Sequence, residues 1–381
     1  MKSKLPDIKE TIFTTMNRAS LEANAINLSQ GFPGFQPDSR LRDLIAHFTQ
    51  NGSNQYAPMM GIPALREAMS LKTEKCQGVK TDMDSEWTIV SGATQAVFSA
   101  VTAVVETGDE VIVLEPAFDS YVPAILLNGG IPIHVPLSLK DFSPDWDLIR
   151  EKVSNKTKLI IVNTPHNPSG YVWTKNDLEE LASLVEEFGL FVVSDEVYEH
   201  IIFDGREHYS LLSHPVLRQR TFVCGSFGKT FHITGWKIGF CVAIPELTVE
   251  FRKIHQYVTF TTVRPAQHAL AEYLKLETYL GLPDFYEKKR NLFTDGLENS
   301  SLEFEPAQGS FFQQAQYGHL SQMPDRELAL KMTRELKVAC IPVSSFYADG
   351  SDHKIIRFCF AKNDDELIEA TSRLENLDRL F

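Results

Sequence analysis

The sequence has few cysteines, and their positions do not suggest a covalent or metal framework. Its 381 residues include five cysteines, at positions 76, 224, 241, 340 and 359, and none forms a Cys-x-x-Cys pair. An odd number of scattered cysteines argues against the disulfide frameworks of small secreted proteins and against the paired spacing of zinc sites. We therefore expect free thiols, which are typical of a reducing compartment, and no metal.

Basic side chains are also scarce relative to acidic ones. There are 37 lysines and arginines against 50 aspartates and glutamates, which gives a formal net charge of −13. Nonspecific binding to nucleic acid or to an anionic membrane requires the opposite sign. The N-terminus, MKSKLPDIKE, lacks the apolar core of a signal peptide, and the uncharged stretches 87–105 and 121–139 are interrupted by polar residues, glycine or proline. These features predict a soluble, cytoplasmic protein.

The middle of the chain alternates short apolar runs with helical patterns. We predict strands over 86–92, 109–116, 158–165, 190–196, 220–228 and 238–243, and helices over 93–105 and 174–189. Continuous apolar runs that end in polar residues are typical of strands buried on both faces. The helix at 174–189 has a threonine start, an acidic first turn and a glycine stop. This alternation predicts an α/β fold with a mostly parallel sheet between helices.

The pattern changes after about residue 280. An amphipathic helix is predicted over 284–300, strands over 302–316 and 354–362, and a terminal helix over 364–381. These elements predict a smaller α+β unit, which the N-terminal segment completes. The expected division is an N-terminal segment (1–45) that joins the small domain, a large domain (46–280) and a small C-terminal domain (281–381), within the two to three domains that the length allows.

One lysine, Lys229, lies among small residues in the segment SFGKTFHITGWKIG (226–239), between two predicted strands. Ser226 and Lys237 supply a hydroxyl and a second cation, and the glycines of the segment permit close approach of the backbone to a ligand. Such a set suits a phosphate group. A separate amine suits a Schiff base when burial or a nearby positive charge lowers its pKa. Taken alone, the lysine would be explained more simply as a solvated surface charge.

Polar residues follow two other predicted strands. Asp195 ends the run LFVVSDE and Tyr198 follows it, while Asn167 lies between prolines in NTPHNPSG (163–170). In open α/β sheets, ligands bind at the carboxyl ends of the strands, where these residues should lie. Each motif also has a purely structural explanation, since a carboxylate can cap a helix and an Asn-Pro pair can form a turn.

The segment SGATQA (91–96) joins a predicted strand to an alanine-rich helix, so the amides of Gly92, Ala93 and Thr94 should point at an anion. These four segments, in the order in which they occur along the chain, resemble the class I/II aminotransferases of the pyridoxal 5′-phosphate (PLP) fold-type I superfamily. The resemblance covers nearly the whole chain and includes INLSQGFP (26–33), NQYAPMMGIPALREA (54–68) and IRFCFAK (356–362). It is strongest to the methionine, glutamine and kynurenine branch, in particular the bacterial methionine aminotransferases.

The resemblance implies PLP as cofactor and a role for each motif residue. Lys229 is implied to form the Schiff base and then to move the proton between the substrate Cα and the cofactor. Asp195 should pair with the protonated pyridine nitrogen, Tyr198 and Asn167 with the phenolic oxygen, and Phe118 should lie against one ring face.

The remaining implied contacts are to the cofactor phosphate and to the substrate α-carboxylate. The phosphate ligands are Ser226, Lys237, the amides of 92–94 and, from the partner subunit of a homodimer, Tyr56. The carboxylate ligands are Arg357, with Gly31 and Asn167. Lys237 stands where many aminotransferases have arginine, a departure shared with the kynurenine and methionine branch.

Three functions are compatible with these motifs to different degrees. Amino-group exchange between an L-amino acid and a 2-oxo acid, in two half-reactions, is the leading hypothesis. A PLP-dependent cysteine-conjugate β-lyase is the alternative, because the same carbanion precedes both reactions. A ligand-sensing regulator would need an added DNA-binding domain, for which the chain has no room. Phe13, Phe118 and Phe260 are candidates for an apolar side-chain pocket, and Arg264 is more simply a surface or interface residue.

Overall fold

The structure is a computed structural model that describes residues 2–6 and 8–381, and twelve strands of this part of the chain organise it. In chain order they are β1 (Ile26–Asn27), β2 (Trp87–Val90), β3 (Glu110–Glu115), β4 (Ile131–Pro136), β5 (Thr157–Asn163), β6 (Phe191–Asp195), β7 (Thr221–Ser226), β8 (Gly239–Val242), β9 (Phe312–Gln316), β10 (Val338–Ala339), β11 (Ile341–Pro342) and β12 (Ile355–Cys359). Seven of them form the central sheet, in the order β2-β8-β7-β6-β5-β3-β4. In this sheet β8 is antiparallel to both of its neighbours, and the other pairs are parallel.

Helices cover both faces of this sheet and surround the smaller sheets. They are α1 (Ile12–Ala23), α2 (Ser39–Gln50), α3 (Pro63–Gln77), α4 (Ala93–Val104), α5 (Tyr121–Leu127), α6 (Trp146–Lys152), α7 (Lys175–Phe188), α8 (Pro215–Arg218), α9 (Phe227–Thr230), α10 (Pro245–Val258), α11 (Arg264–Leu274), α12 (Leu282–Leu297), α13 (Asp325–Lys331) and α14 (Asp364–Leu374). A π-helical turn, Met332–Leu336, follows α13. Within the described residues, no helix has the length and hydropathy needed to cross a membrane.

The central sheet separates two hydrophobic cores, as a sheet covered on both faces must. In β5, Ile160 and Val162 belong to one core, whereas Leu159 and Ile161 belong to the other. Because successive side chains of a strand point to opposite faces, an uninterrupted apolar run is what such a strand requires. The predicted α/β fold with a mostly parallel sheet is confirmed.

Helix α7 confirms the predicted helix over 174–189 almost to the residue. The Thr174 side chain accepts a hydrogen bond from the Asp177 N–H, and the Asp177 carboxylate accepts one from the Thr174 N–H, which forms a capping box. Tyr171 and Trp146 also donate to this carboxylate. The cap therefore ties the start of α7 to the segment that follows β5, one of the strands that end at the candidate site.

The smaller unit contains an antiparallel sheet in the order β11-β12-β9. The predicted strand over 302–316 is wrong in its first part, since only Phe312–Gln316 forms a strand and Glu303 makes an isolated bridge. Pro306 lacks an N–H, and proline and glycine both weaken a strand interior. The predicted terminal helix is also too long, because α14 ends at Leu374 and a 3₁₀ turn, Leu377–Leu380, follows.

The N-terminal segment joins this smaller unit through a parallel pair, in which Ile26 lies opposite Val338 and Asn27 opposite Ala339. The Leu28 N–H continues the pairing to the Ala339 carbonyl at 3.0 Å. We propose that the domain boundaries fall at residues 45/46 and 280/281, and that the N-terminal segment belongs to the small domain.

Gly61, in the loop before α3, is expected to be intolerant of any side chain. Its φ is +98°, and an added Cβ would lie 2.3 Å from Ile89 Cγ1 in β2. Gly52 has a similar φ of +95° but open space around it. Gly61→Ala should therefore cost backbone strain plus roughly 1–3 kcal/mol of overpacking, and Gly52→Ala only the strain. Thermal unfolding followed by circular dichroism should show the larger drop in Tm for Gly61→Ala; equal losses would contradict the steric explanation.

Candidate active site

Three neighbouring strands of the central sheet end in polar residues at the same edge. Asn163 ends β5, Asp195 ends β6 and Ser226 ends β7, and Asn163 lies directly opposite Asp195 in the sheet register. The antiparallel strand β8 begins at this edge, where Gly239 lies opposite Ser226. Asp195 therefore lies where the sequence predicted it, at the carboxyl end of a parallel strand.

A cavity of about 270 Å³ opens at this edge. Its lining includes these residues predicted from the sequence: Gly31, Gly92, Ala93, Thr94, Phe118, Asn167, Asp195, Tyr198, Ser226, Lys229, Lys237 and Arg357. Tyr56 is the exception, since its side chain is at the surface, 79% exposed, with its ring edge-on to Phe260 at 5.5 Å between centroids. Phe13 also lines the cavity, whereas Phe260 and Arg264 lie outside it.

Lys229 lies on the single helical turn α9 that follows β7, and its ammonium is inside the cavity. Its Nζ donates a hydrogen bond to the Gly31 carbonyl at 2.7 Å and lies 5.0 Å from the centroid of the Phe311 ring. Burial lowers the pKa of Lys229 from the usual lysine value to about 8, and the positive charge of Arg357 acts in the same direction. A substantial fraction of this amine is therefore neutral, and nucleophilic, near physiological pH.

Asp195 is a buried carboxylate held in a fixed orientation by two donors. The Tyr121 hydroxyl donates to Oδ2 at 2.7 Å, and the Val197 N–H donates to Oδ1 at 3.3 Å. Burial raises the pKa of Asp195 to about 6. The group is thus charged at neutral pH but binds a proton more tightly than an ordinary aspartate, as suits a partner for a protonated ring nitrogen. Sequence reasoning missed Tyr121, although it lies in the EPAFDSY segment three residues after Phe118.

Arg357, in β12, is completely buried. Its two terminal nitrogens donate to Asn167 Oδ1 at 2.8 Å and to the Ser29 carbonyl at 3.1 Å, and the guanidinium carbon lies 3.9 Å from the Phe312 ring centroid. Burial lowers the pKa of Arg357 to about 10, so the group stays charged at neutral pH. Its Nε has no hydrogen-bond partner among the described residues, which leaves a buried donor for an anionic ligand.

Asn167 is itself fixed by Asn163. The Asn167 N–H donates to Asn163 Oδ1 at 2.7 Å, and Asn163 Nδ2 donates to the Asp195 carbonyl at 2.8 Å. Because Oδ1 of Asn167 accepts from Arg357, its side-chain NH₂ is the group left to donate to a ligand. The Asn167–Pro168, Glu115–Pro116 and Thr164–Pro165 peptide bonds are cis.

The N-terminus of α4 forms a cradle for an anion. No side chain caps this helix, whose first residues are Ala93 and Thr94, so the amides of its first turn are available to a ligand. Gly92 has a φ of +83°, and a Cβ there would lie 3.3 Å from Lys237 Nζ. The backbone can therefore approach a ligand closely beside a cation. Ser226, which also lines the cavity, adds a hydroxyl. Amides, an ammonium and a hydroxyl together fit a phosphate group.

Other lining residues were not anticipated from the sequence. They include Gln30, Phe32, Ser120, Asn163, Thr234 and Phe312. For Asn163 a signal was present, since it is the last residue of a buried apolar run. Phe312 belongs to the small sheet, and its ring lies 5.9 Å from the Tyr198 ring between centroids. A local sequence pattern does not reveal such a contact between distant segments.

Several known proteins are similar to this chain over nearly its whole length. The family model for aminotransferases of class I and II matches residues 23–374. Methionine aminotransferase of Escherichia coli K12 is 47% identical over 378 residues, which cover 99% of this chain and 98% of that protein. A kynurenine–oxoglutarate transaminase of Dictyostelium discoideum is 34% identical, with 97% and 94% covered. The crystal structure of YbdL from Escherichia coli, described as a methionine aminotransferase, superimposes with a TM-score of 0.97 and covers 99% of both chains.

The lowered pKa of Lys229 predicts its chemical reactivity. In protein freed of any cofactor, a small acylating reagent should label Lys229 at a rate that rises with pH to about 8 and then levels off, because only the neutral amine reacts. A free lysine model compound, with an amine pKa of about 10.4, should keep gaining reactivity above that pH. Peptide mass spectrometry gives the rate at Lys229; a profile parallel to that of the model compound would refute the assignment.

Proposed function

Because the chain belongs to the aminotransferases of class I and II, we propose that its amino donor is methionine, glutamine or an aromatic amino acid. The reaction is the transfer of an amino group from an amino acid to a 2-oxo acid, and the cofactor is pyridoxal 5′-phosphate. The composition of the cavity carries the proposal on the donor: Phe13, Phe118 and Phe312 form part of the wall, and Arg357 is the one arginine among its described lining residues.

The cofactor roles proposed for the site follow from its charges. When bound, pyridoxal phosphate withdraws the electron pair that is left when a bond to the substrate Cα breaks. Asp195 would hold the proton of the ring nitrogen, Tyr198 and Asn167 would donate to the phenolic oxygen, and Phe118 would cover one ring face. The phosphate would be bound by the groups of the cradle described above: the amides of 92–94, Ser226 and Lys237.

Lys229 is proposed to carry the cofactor covalently and then to move the proton at the substrate Cα. Its pKa of about 8 suits both tasks, since a proton-transfer group works best with a pKa near the operating pH. The Gly31 carbonyl, which accepts from Nζ at 2.7 Å, orients the amine toward the cavity. The chain thereby supplies the base at the reacting atom.

Arg357 is proposed to bind the substrate α-carboxylate. Its planar fork is already oriented by Asn167 and by the Phe312 ring, and a carboxylate accepts two parallel hydrogen bonds from such a fork. The amino and carboxylate groups of the substrate are then fixed, so only the side chain remains to be distinguished. The other basic lining residues, Lys229 and Lys237, have cofactor roles, which leaves no cation of the described lining for an acidic side chain.

Methionine, glutamine and phenylalanine should therefore exceed aspartate in kcat/KM by about tenfold or more. An apolar pocket gains about 0.8 kcal/mol per buried methylene, an unpaired buried carboxylate costs several kcal/mol, and a difference of about 1.4 kcal/mol is already tenfold. Half-reaction rates for a panel of amino acids, followed by the absorbance of the cofactor, measure this ranking.

Two variants control the ranking experiment. Arg264→Ala should leave it unchanged, because Arg264 contacts His268 and the Tyr56 carbonyl outside the cavity. Lys229→Ala tests the role of Lys229 itself: the cofactor should stay bound through its contacts with the other site residues, but turnover should be lost. Aspartate as the best donor would overturn the apolar-pocket proposal, and a loss confined to aspartate in Arg264→Ala would identify that arginine as a substrate ligand.

We also propose that the protein is a homodimer in which Tyr56 contacts the cofactor phosphate of the partner subunit. Support comes from the exposed apolar side chains of the segment 257–263, in which Tyr257 is 90%, Val263 53% and Phe260 37% exposed, and from the contact of Phe260 with the Tyr56 ring. Large exposed apolar patches mark interaction surfaces. A second subunit would bury these side chains and give the Tyr56 hydroxyl a ligand, which the described residues of its own chain do not.

Tyr56→Phe should weaken pyridoxal phosphate binding by about tenfold or more, as the loss of a hydrogen bond to a charged group implies, without changing the dimer. Equilibrium dialysis gives the affinity and sedimentation velocity the mass. Tyr209→Phe, which removes a hydroxyl bonded to Glu207 at 3.0 Å, is the matched control and should bind normally. A fully active monomer, or equal affinity in both variants, would contradict the shared site.

A cytoplasmic location is proposed on the chemistry of the thiols. The five cysteines are free, and four of them are buried, as in proteins that stay reduced. The net charge of −13 also favours small-molecule substrates over nucleic acid or anionic membranes as partners.

A further inference from the structure

The segment Gln30–Phe32 forms one wall of the cavity, and its backbone carbonyls accept hydrogen bonds from lysine side chains. Lys229 Nζ donates to the Gly31 carbonyl at 2.7 Å. Lys362 Nζ donates to the Phe32 carbonyl at 3.0 Å and lies at the limit of hydrogen-bond distance, 3.5 Å, from the Gln30 carbonyl. Carbonyls of three consecutive residues in this wall thus face ammonium groups.

One of these two attachments is lost when the enzyme works. On the proposed function, the Lys229 amine carries the cofactor and handles the substrate proton, so it cannot keep the Gly31 carbonyl bound throughout. The attachment from Lys362 has no such competing task, because Lys362 is not among the residues that line the cavity. It is available to hold the wall in every state of the cycle.

The environment of Lys362 is unusual for a lysine. The residue is 4% exposed, and its Nζ lies 4.6 Å from the centroid of the Phe32 ring. For the part of the chain that the structure describes, its ammonium is stabilised by carbonyl oxygens and a ring face rather than by a carboxylate. Burying a charged amine costs free energy unless it is hydrogen-bonded, so a lysine here is explained only if the charge does something that its alkyl stem cannot.

Lys362 is also close to Arg357, the proposed ligand of the substrate α-carboxylate. It lies five residues after Arg357, and its own carbonyl accepts a hydrogen bond from Lys289 Nζ at 2.8 Å. Just before it, the Ala361 carbonyl accepts from the Gly34 N–H at 2.8 Å. The Lys362 side chain therefore connects the segment that follows β12, the strand of Arg357, to the wall formed by Gln30–Phe32.

We propose that Lys362 is a positioning residue that holds Gln30–Phe32 in place as the wall of the substrate site. This proposal rests on the proposed function of the cavity. Gly31 has no room to shift toward the small sheet, since even a Cβ there would lie 2.8 Å from the Phe312 ring, so without Lys362 the segment would loosen toward solvent. Phe32, which is 46% exposed, would then cover the cavity less of the time.

The test is Lys362→Met, which keeps the apolar stem and removes the charge. Hydrogen exchange measured by mass spectrometry on the holoenzyme should rise about tenfold or more in the peptide that covers 28–34. For methionine as donor, KM should rise about tenfold while kcat stays within about threefold, because the wall affects binding more than proton transfer. Lys362→Arg, which retains a cation, should restore part of the exchange protection.

Lys354→Met is the matched control. Lys354 immediately precedes β12, and its ammonium pairs with Asp352 at 2.7 Å away from the cavity. This variant should change neither the exchange of 28–34 nor KM. If Lys362→Met does not yield folded protein, Lys362→Gln, which retains a neutral donor, carries the same measurements and should give a smaller increase in exchange.

The exchange measurement separates this proposal from the proposed function. If the wild-type enzyme fails to transaminate any amino acid of the panel, the function is wrong whatever the exchange shows. If the wild type is active, and exchange and KM in Lys362→Met match those of Lys354→Met, the positioning role of Lys362 is overturned.

Discussion

Lys229 and Arg357 keep their positive charges below the surface, and the backbone carbonyls of Gly31 and Ser29 accept hydrogen bonds from them. Burial of two cations in one cavity is tolerable only because such oxygens, and the face of the Phe312 ring, replace water. The same burial lowers the pKa of Lys229 to about 8 and so makes its amine reactive. The chemistry of the site is thus a direct result of how these charges are desolvated.

Topology explains why these groups meet. Parallel strands bring Asn163 and Asp195 to one edge, and the single reversed strand, β8, begins at that edge, immediately after Lys237 and Ile238. The amides at the start of α4, the helix that follows β2, line the same cavity. A mixed sheet can therefore place a carboxylate, an amine and an anion cradle around a single cavity without long loops.

Much of this arrangement could be predicted from local sequence, because strand ends and helix starts fix where Asp195 and the amides of 92–94 must point. Contacts between distant segments could not. Tyr121 and Asp195 are 74 residues apart, and Arg357 and Ser29 are 328 apart, so no periodicity connects them. Tyr56 is a different case: the resemblance assigned it to a partner's site, and a single chain leaves it on the surface.

The parallel pair of β1 with β10 has a further geometric consequence. It fixes the segment that carries Ser29 and Gly31 to the unit that also carries Arg357, whereas Asp195 ends β6 of the central sheet and Lys229 lies on α9, directly after β7. Any rotation of the smaller unit would move Ser29, Gly31 and Arg357 together and keep their mutual distances constant. The distances from these residues to the Lys229 amine and to Asn167, which follows β5, would change instead. On the proposed function, the angle between the two units would therefore set how long a substrate the enzyme accommodates.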